Sequence, residues 1–174
     1  MRVRLQRRLL DIIASVYIYN EHRGYSSIDR VLEAVRARHP DADDFIAKVE
    51  KHRRDERKHY LMFRRYFEQR GYMPYRVDVS CGHIDRLIRL VFGCGIDDLD
   101  TDAIAADDAA FQKLCRIIMI TEIRGMRQLD VLLEDRMIAG DEALTRIFKV
   151  IRKDEPRHWA PYREWLIARE DEKP

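Results

Sequence analysis

The chain has 174 residues, enough for one ordinary domain and short for two. Hydrophobic residues make up 46% and charged residues 37%, while Gly (7) and Pro (5) are scarce, a profile that suits long helices and excludes a turn-rich β-sandwich or barrel. The 33 basic and 31 acidic residues nearly cancel, to net +2, so bulk charge points to neither a nucleic acid nor a membrane surface.

The N-terminal MRVRLQRRLLDIIASVYIY starts basic and turns apolar like a signal peptide, but Asp11 interrupts the run and no small-residue cleavage site follows. No stretch has the uncharged apolar length of a membrane span. A first helix is expected over about 3–38, with Leu10, Ala14, Tyr17, Glu21, Ile28 and Leu32 near one stripe. The His39-Pro40 step ends it, because a residue before proline leaves the α region. A second helix is expected over about 41–70, with Pro40 and the acidic Asp41, Asp43 and Asp44 suiting its first turn. Its stripe runs Phe45, Val49, His52, Glu56, His59, Phe63 and Tyr66, and Gly71 suits its C-cap.

Residues 71–100 break the pattern and read as a crossover carrying a short helix (Ile84, Leu87, Ile88, Val91) bounded by Ser80 and Gly93. The Asp-rich GIDDLDTDAIAADD lacks the spacing of a calcium loop and reads as helix capping. A third long helix follows over about 101–138, a turn at Ala139-Gly140-Asp141, and a fourth helix over about 141–169. Residues 1–174 therefore read as one all-α domain, an up-down four-helix bundle with a long crossover between its second and third helices. Cys81, Cys94 and Cys115 form no CxxC pair, which removes a zinc ribbon or rubredoxin-type site and a disulfide framework, and a cytoplasmic location is expected.

Two of the stripes carry charge where apolar residues belong. DERKH gives Glu56 and His59; DEPRH gives Glu155 and His158. At i, i+3 the two side chains of each motif share one helix face and can reach one metal ion. With 12 Glu and 6 His, one ExxH is an ordinary coincidence. Requiring a preceding Asp lowers the chance expectation to roughly 0.05 copies, so two copies need a cause. At an offset of 99, Arg53, Asp55, Glu56, His59 and Arg64 align with Arg152, Asp154, Glu155, His158 and Arg163. The first and third helices echo each other too, with Glu21, Arg23 and Gly24 matching Glu122, Arg124 and Gly125. The chain reads as a duplicated helix pair.

In an antiparallel pair, residues at one height are equidistant from the turn. The midpoint of Glu21 and Glu56 is 38.5, at the His39-Pro40 turn, and that of Glu122 and Glu155 is 138.5, at the Ala139-Gly140 turn. Each arm is then about 17 residues, or roughly 26 Å. Four Glu and two His are expected to meet at one level.

This order, E then ExxH, twice over, resembles the ferritin-like superfamily of di-iron carboxylate proteins, which includes bacterioferritins, rubrerythrins and di-iron oxygenases. The likeness covers nearly the whole chain. It implies a ferritin-like bundle in which Glu21 and Glu122 are terminal ligands, Glu56 and Glu155 bridge, and His59 and His158 each bind one metal. Asp55 and Asp154 resemble the aspartates that steady the ligand histidines in di-iron oxygenases, each four residues ahead of its own histidine and close enough to hold the free ring N–H. Hard carboxylates with imidazoles suit two Fe ions, with Mn the alternative.

The function that follows is a di-iron oxidoreductase acting with O₂ or peroxide on an unknown organic substrate, with an external electron donor. A ferroxidase or iron-storage protein acting on Fe(II), and a bundle with a non-catalytic metal site, stand as alternatives. No membrane and no nucleic-acid partner is expected, and a homodimer is compatible. Against the metal reading stands a salt-bridge network of the glutamates with Arg23, Arg53 or Arg152. His52 reads as a hydrogen-bonded core histidine beside the alternative of an extra ligand, and Tyr17 as core packing. His22 and His83 read as surface residues, and Arg2, Arg4, Arg7 and Arg8 as a solvated face. Pro156, inside the second ExxH, and Pro161 are expected to kink the last helix and open the site beside it.

Overall fold

The His39-Pro40 step ends α1 (Arg2–Arg38), and Pro40 and Asp41 form the turn, so α2 (Asp43–Glu68) starts at Asp43, two residues later than expected. Gly71 closes the far end at φ +74°, a left-handed conformation that favours glycine. The structure is a computed structural model that describes residues 2–170. Met1 and residues 171–174 of the expected domain, and the side chains at 2, 3 and 170, lie outside the described residues. The solvated-face reading of Arg2 therefore lies outside them as well.

After a single 3₁₀ turn (Val79–Cys81), α3 (His83–Phe92) supplies the expected crossover helix, ending at Gly93 with φ +75°. A second 3₁₀ turn (Ile96–Asp98) follows. The third long helix is corrected into three pieces: α4 (Thr101–Ala106), α5 (Asp108–Glu134) and α6 (Arg136–Ala139). The breaks fall at Asp107 and Asp135, whose backbones are extended. The Asp107 carboxylate accepts from Ala109 N–H, and that of Asp135 from Met137 and Ile138 N–H. A short acidic side chain competes with the helix for its own backbone donors, which starts a new helix instead of continuing the old one. Asp100 caps α4 through Ala103 N–H, so the Asp-rich segment does cap helices. The chain closes with α7 (Glu142–Glu170), whose first turn is held by Asp141 accepting from Leu144 N–H.

Among the described residues the chain is all-helical. Helix α1 packs on α2 and α5 on α7, while α2–α7 and α1–α5 contacts close the four long helices into a ring; α3 and α4 lie against α1 and α5. All seven residues of the expected α2 stripe are buried. Two apolar layers fill the ring. One gathers Ile28, Val49, Phe111, Ile118 and Trp165 near the α1–α2 turn. The other gathers Ala14, Phe63, Leu129, Phe148 and Ile151.

The second end is tied by polar contacts. Arg7 reaches Asp141 at 3.0 Å and Asp11 at 2.8 Å, and Tyr66 O–H donates to Asp141 at 3.0 Å. Arg7 is thus an anchor rather than part of a solvated face; Arg4 and Arg8 are exposed. Cys81, Cys94 and Cys115 are all free, as expected. No described helix is long and apolar enough to cross a membrane.

Candidate metal centre

Between the two apolar layers lies a polar level. Glu21 of α1, Glu56 and His59 of α2, Glu122 of α5, and Glu155 and His158 of α7 are all buried there. His59 Nδ1 lies 3.2 Å from Glu21 and 3.6 Å from Glu56. His158 Nδ1 lies 3.3 Å from Glu56 and 3.6 Å from Glu122. The donor atoms form two overlapping sets, Glu21–Glu56–His59 and His52–Glu56–Glu122–His158, within each of which all atoms lie within 4.8 Å of one another. Glu56 belongs to both.

Glu155 is buried but belongs to neither set. Burial and the charges of Glu122, Glu56 and Glu21 oppose its ionisation, which only His158 favours.

The aspartates pair crosswise, which corrects the same-helix pairing expected from the i, i+4 spacing. Asp154 of α7 takes His59 Nε2 of α2 at 3.1 Å, and Asp55 of α2 faces His158 Nε2 of α7 at 3.6 Å. Each histidine thus turns Nδ1 to the glutamates and Nε2 to the aspartate of the opposite helix. Lys58 braces both aspartates, at 3.0 Å from Asp55 and 2.5 Å from Asp154. These lysine and histidine contacts hold the Asp55 carboxyl well below the usual range in spite of its burial. Sequence spacing along one helix could not show that the helix faces interleave.

His52 is the residue the sequence undervalued. Its Nδ1 meets Tyr162 Oη at 3.1 Å, as a hydrogen-bonded core histidine should. Its Nε2 also faces Glu122 at 3.6 Å and Glu56 at 3.7 Å, and its ring stacks on His158 with centroids 4.1 Å apart. The available signal was its place on the stripe one turn before Glu56. Tyr162 had no signal, since it comes from α7.

Among the described residues no arginine is ion-paired with the glutamates of this level. Arg23 pairs with Asp85 at 2.7 Å and Asp97 at 3.0 Å, Arg53 with Asp29, and Arg152 with Asp130 at 2.5 Å. The three arginines of the salt-bridge alternative are therefore committed elsewhere. Instead, Glu21 Oε2, Glu155 Oε2, His52 Nε2, His59 Nδ1 and His158 Nδ1 are buried without a hydrogen bond. An unpartnered buried polar atom costs about 1–3 kcal/mol, and such atoms rarely gather without a cause.

Protonation carries the imbalance. Burial and the Glu56 charge raise Glu21 to about 7. Burial also raises Glu155 well above its usual range. Against burial, Glu21 and Glu56 raise His59 to about 10, and Asp55, Glu122 and Glu56 raise His158. Burial and the neighbouring His158 lower His52. Four carboxylates and three imidazoles with inward-facing lone pairs fit hard divalent cations, which would displace those protons.

Two glycines lie against the Glu56 and Glu155 carboxylates. A Cβ on Gly24 would collide with the Glu56 carboxylate, whereas one on Gly125 would sit 3.8 Å from Glu155. A cavity of about 640 Å³ opens from this level between α1 and α5, with Glu21, Glu56, Glu122 and Glu155 in its lining. Only Glu155 of α7 contributes to it, and α7 runs helical from Glu142 to Glu170 with both prolines inside. The opening therefore lies on the α1–α5 side, not beside Pro156 as expected. Tyr17 lines the cavity and packs 4.8 Å from the Phe148 ring. His83, half-buried, also lines it and accepts from Arg124 at 2.8 Å; the surface reading holds for the exposed His22 alone. Compared with protein-family models, curated proteins and solved structures, the chain shows no significant match.

Proposed function

We propose that this chain is a ferritin-like four-helix bundle that holds two iron ions, with manganese the alternative, and works as an oxidoreductase using O₂ or peroxide. The observation that carries the reading is the buried level of four carboxylates and three imidazoles with five inward atoms lacking partners and, among the described residues, no arginine or lysine ion-paired with its glutamates. Glu21 and His59 would hold one ion, and Glu122 and His158, with His52, the other. Glu56, common to both donor sets, would be shared between the ions, with Glu155 the second shared carboxylate that the family resemblance implies.

Bound iron would supply electron transfer to O₂ or peroxide. The protein's part is positional. Asp154 accepts from Nε2–H of His59, and Asp55 lies 3.6 Å from Nε2 of His158, so both rings turn Nδ1 to the glutamates, where a cation would take it. The two apolar layers exclude water above and below. A cavity of about 640 Å³ lies within the range of small-molecule sites and favours an organic substrate, with electrons from an external donor, over free Fe(II).

Anaerobic titration with Fe(II) is expected to saturate at two ions per chain, and O₂ or peroxide should then change the near-ultraviolet and visible absorbance. Elution as a monomer or dimer agrees with the oxidoreductase reading, while a large hollow oligomer would favour the storage alternative. Saturation below two ions, or a spectrum indifferent to both oxidants, would overturn the proposal.

A further inference from the structure

The cavity that reaches the carboxylates is polarised from floor to mouth. Its floor holds the four glutamates, and its walls are apolar, formed by Ile12, Ile13 and Val16 of α1 and Leu129, Val131 and Leu132 of α5. Its mouth carries Arg124, Arg127 and His83, and apart from the floor glutamates no acidic residue lines it. Arg124 and Arg127 are exposed, and among the described residues neither has a carboxylate within ion-pair distance. Arg124 is steadied by donating to His83 Nδ1 at 2.8 Å. The adjoining depression on α3 is lined by Arg86 and Arg89 together with His83 and Arg124. In a chain of net +2, four arginines around one opening with, among the described residues, no acid in ion-pair distance are a local excess of cations.

We propose that the cavity binds a small amphipathic organic anion, its apolar part lying between α1 and α5 and its charged head held at the mouth by Arg124 and Arg127. The orientation follows from charge. Two guanidiniums attract an anionic head at the rim, whereas the glutamate end of the lining offers it no lysine or arginine. Burying the apolar part against six aliphatic side chains favours binding by roughly 25 cal/mol per Å² removed from water. That orientation brings an unactivated C–H end of the molecule to the glutamate level. As the identity of an oxidised substrate this rests on the proposed metal chemistry; as a binding site it does not.

Titration calorimetry with decanoate, decyl phosphate and decan-1-ol tests the idea on metal-free and iron-loaded protein. Both anions are expected to bind, the tighter one identifying the head group as carboxylate or phosphate. Arg124→Gln with Arg127→Gln should weaken the anions at least 10-fold and leave decan-1-ol unchanged. Val16→Trp, which fills the cavity, should abolish binding of all three. Anion binding that ignores the arginine changes or survives Val16→Trp overturns the proposal, as does arginine-dependent binding of single-stranded RNA without binding of the anions. The arginine variant should still take up two Fe(II) per chain. Anion binding without iron uptake would sink the metal reading and spare this one, and the converse result would do the opposite.

Discussion

The two helix pairs, α1–α2 and α5–α7, carry the same polar positions but differ in what surrounds them. Glu21 matches Glu122, Glu56 matches Glu155, and the Asp-Glu-x-x-His motifs align. Even the outer ion pairs repeat, since Arg53 holds Asp29 on one side and Arg152 holds Asp130 on the other. Around this shared pattern the pairs diverge. His52 stands where the second pair has Ile151, and Tyr162 stands where the first has Phe63, so the buried His52–Tyr162 hydrogen bond joins two unmatched positions. Arg23 is buried and ties α1 to the crossover through Asp85 and Asp97, while its counterpart Arg124 is exposed at the cavity mouth. Gly24 leaves no room above Glu56, and Gly125 leaves ordinary space above Glu155. The cavity between α1 and α5 is lined by both pairs, but the arginine before each of these glycines is buried and anchored in the first and exposed at the mouth in the second.

The sharpest way to break this comparison is to remove the carboxylates in turn. Glu56→Gln acts on both donor sets and should drop bound iron from two ions to fewer than one, with at least a 100-fold loss of any O₂-dependent turnover. Glu155→Gln should retain at least one ion and, in metal-free protein, raise the melting temperature most at alkaline pH, where the buried carboxyl would otherwise lose its proton among like charges. Metal analysis and thermal melts decide both. Equal iron loss in the two variants would show that the halves contribute alike.

The glycines come next. Gly24→Ala pushes the Glu56 carboxylate out of both sets and is expected to weaken metal binding about 10- to 100-fold. Folding should change by only about 1 kcal/mol, because the displaced group is the tip of a flexible side chain. Gly125→Ala should bind metal normally and gain up to about 1 kcal/mol from helix propensity. Titration of both variants and their denaturation curves measure the contrast.

Crossed aspartate pairing predicts specific couplings. Asp154→Asn should weaken metal binding about 10-fold. A double-mutant cycle should show it coupled to His59 and not to His158, the same-helix partner; coupling to His158 alone would refute the crossing.

A smaller effect concerns pH. Glu21 is raised from about 4.5 to about 7 in the folded chain, so the folded state holds the extra proton and stability falls as pH rises across that window. His59, raised from about 6.5 to about 10, contributes stability that is present below pH 6.5 and lost as pH rises towards 10. Metal-free protein should therefore melt at progressively lower temperature from pH 5 to pH 9, and saturating metal should flatten or reverse the trend. A metal-free melting temperature that rises across this range would contradict the protonated cluster.

Much of this was legible in the chain, and the reasons are local. Apolar spacing of 3.6 residues gave the α2 stripe residue by residue, including its polar members, because a helix face is set by rotation along one segment. The turns at His39-Pro40 and near Gly140 were readable because proline and capping aspartate act on their own backbone. Asp107 and Asp135 were underestimated as helix breaks for the converse reason, since a capping residue inside an otherwise helical pattern has the same spacing as its neighbours.

By itself, then, the sequence determined the first, second and last long helices, the buried face of α2 and the level at which Glu21, Glu56, Glu122 and Glu155 sit, all of which depend on periodicity and distance from a turn. Only the tertiary structure decided which aspartate serves which histidine, that Tyr162 fixes His52 beside Glu122, that Glu155 stands off, and that the cavity opens between α1 and α5. Those facts depend on the rotation and approach of one helix against another, which side-chain packing sets and which no spacing within a single helix encodes.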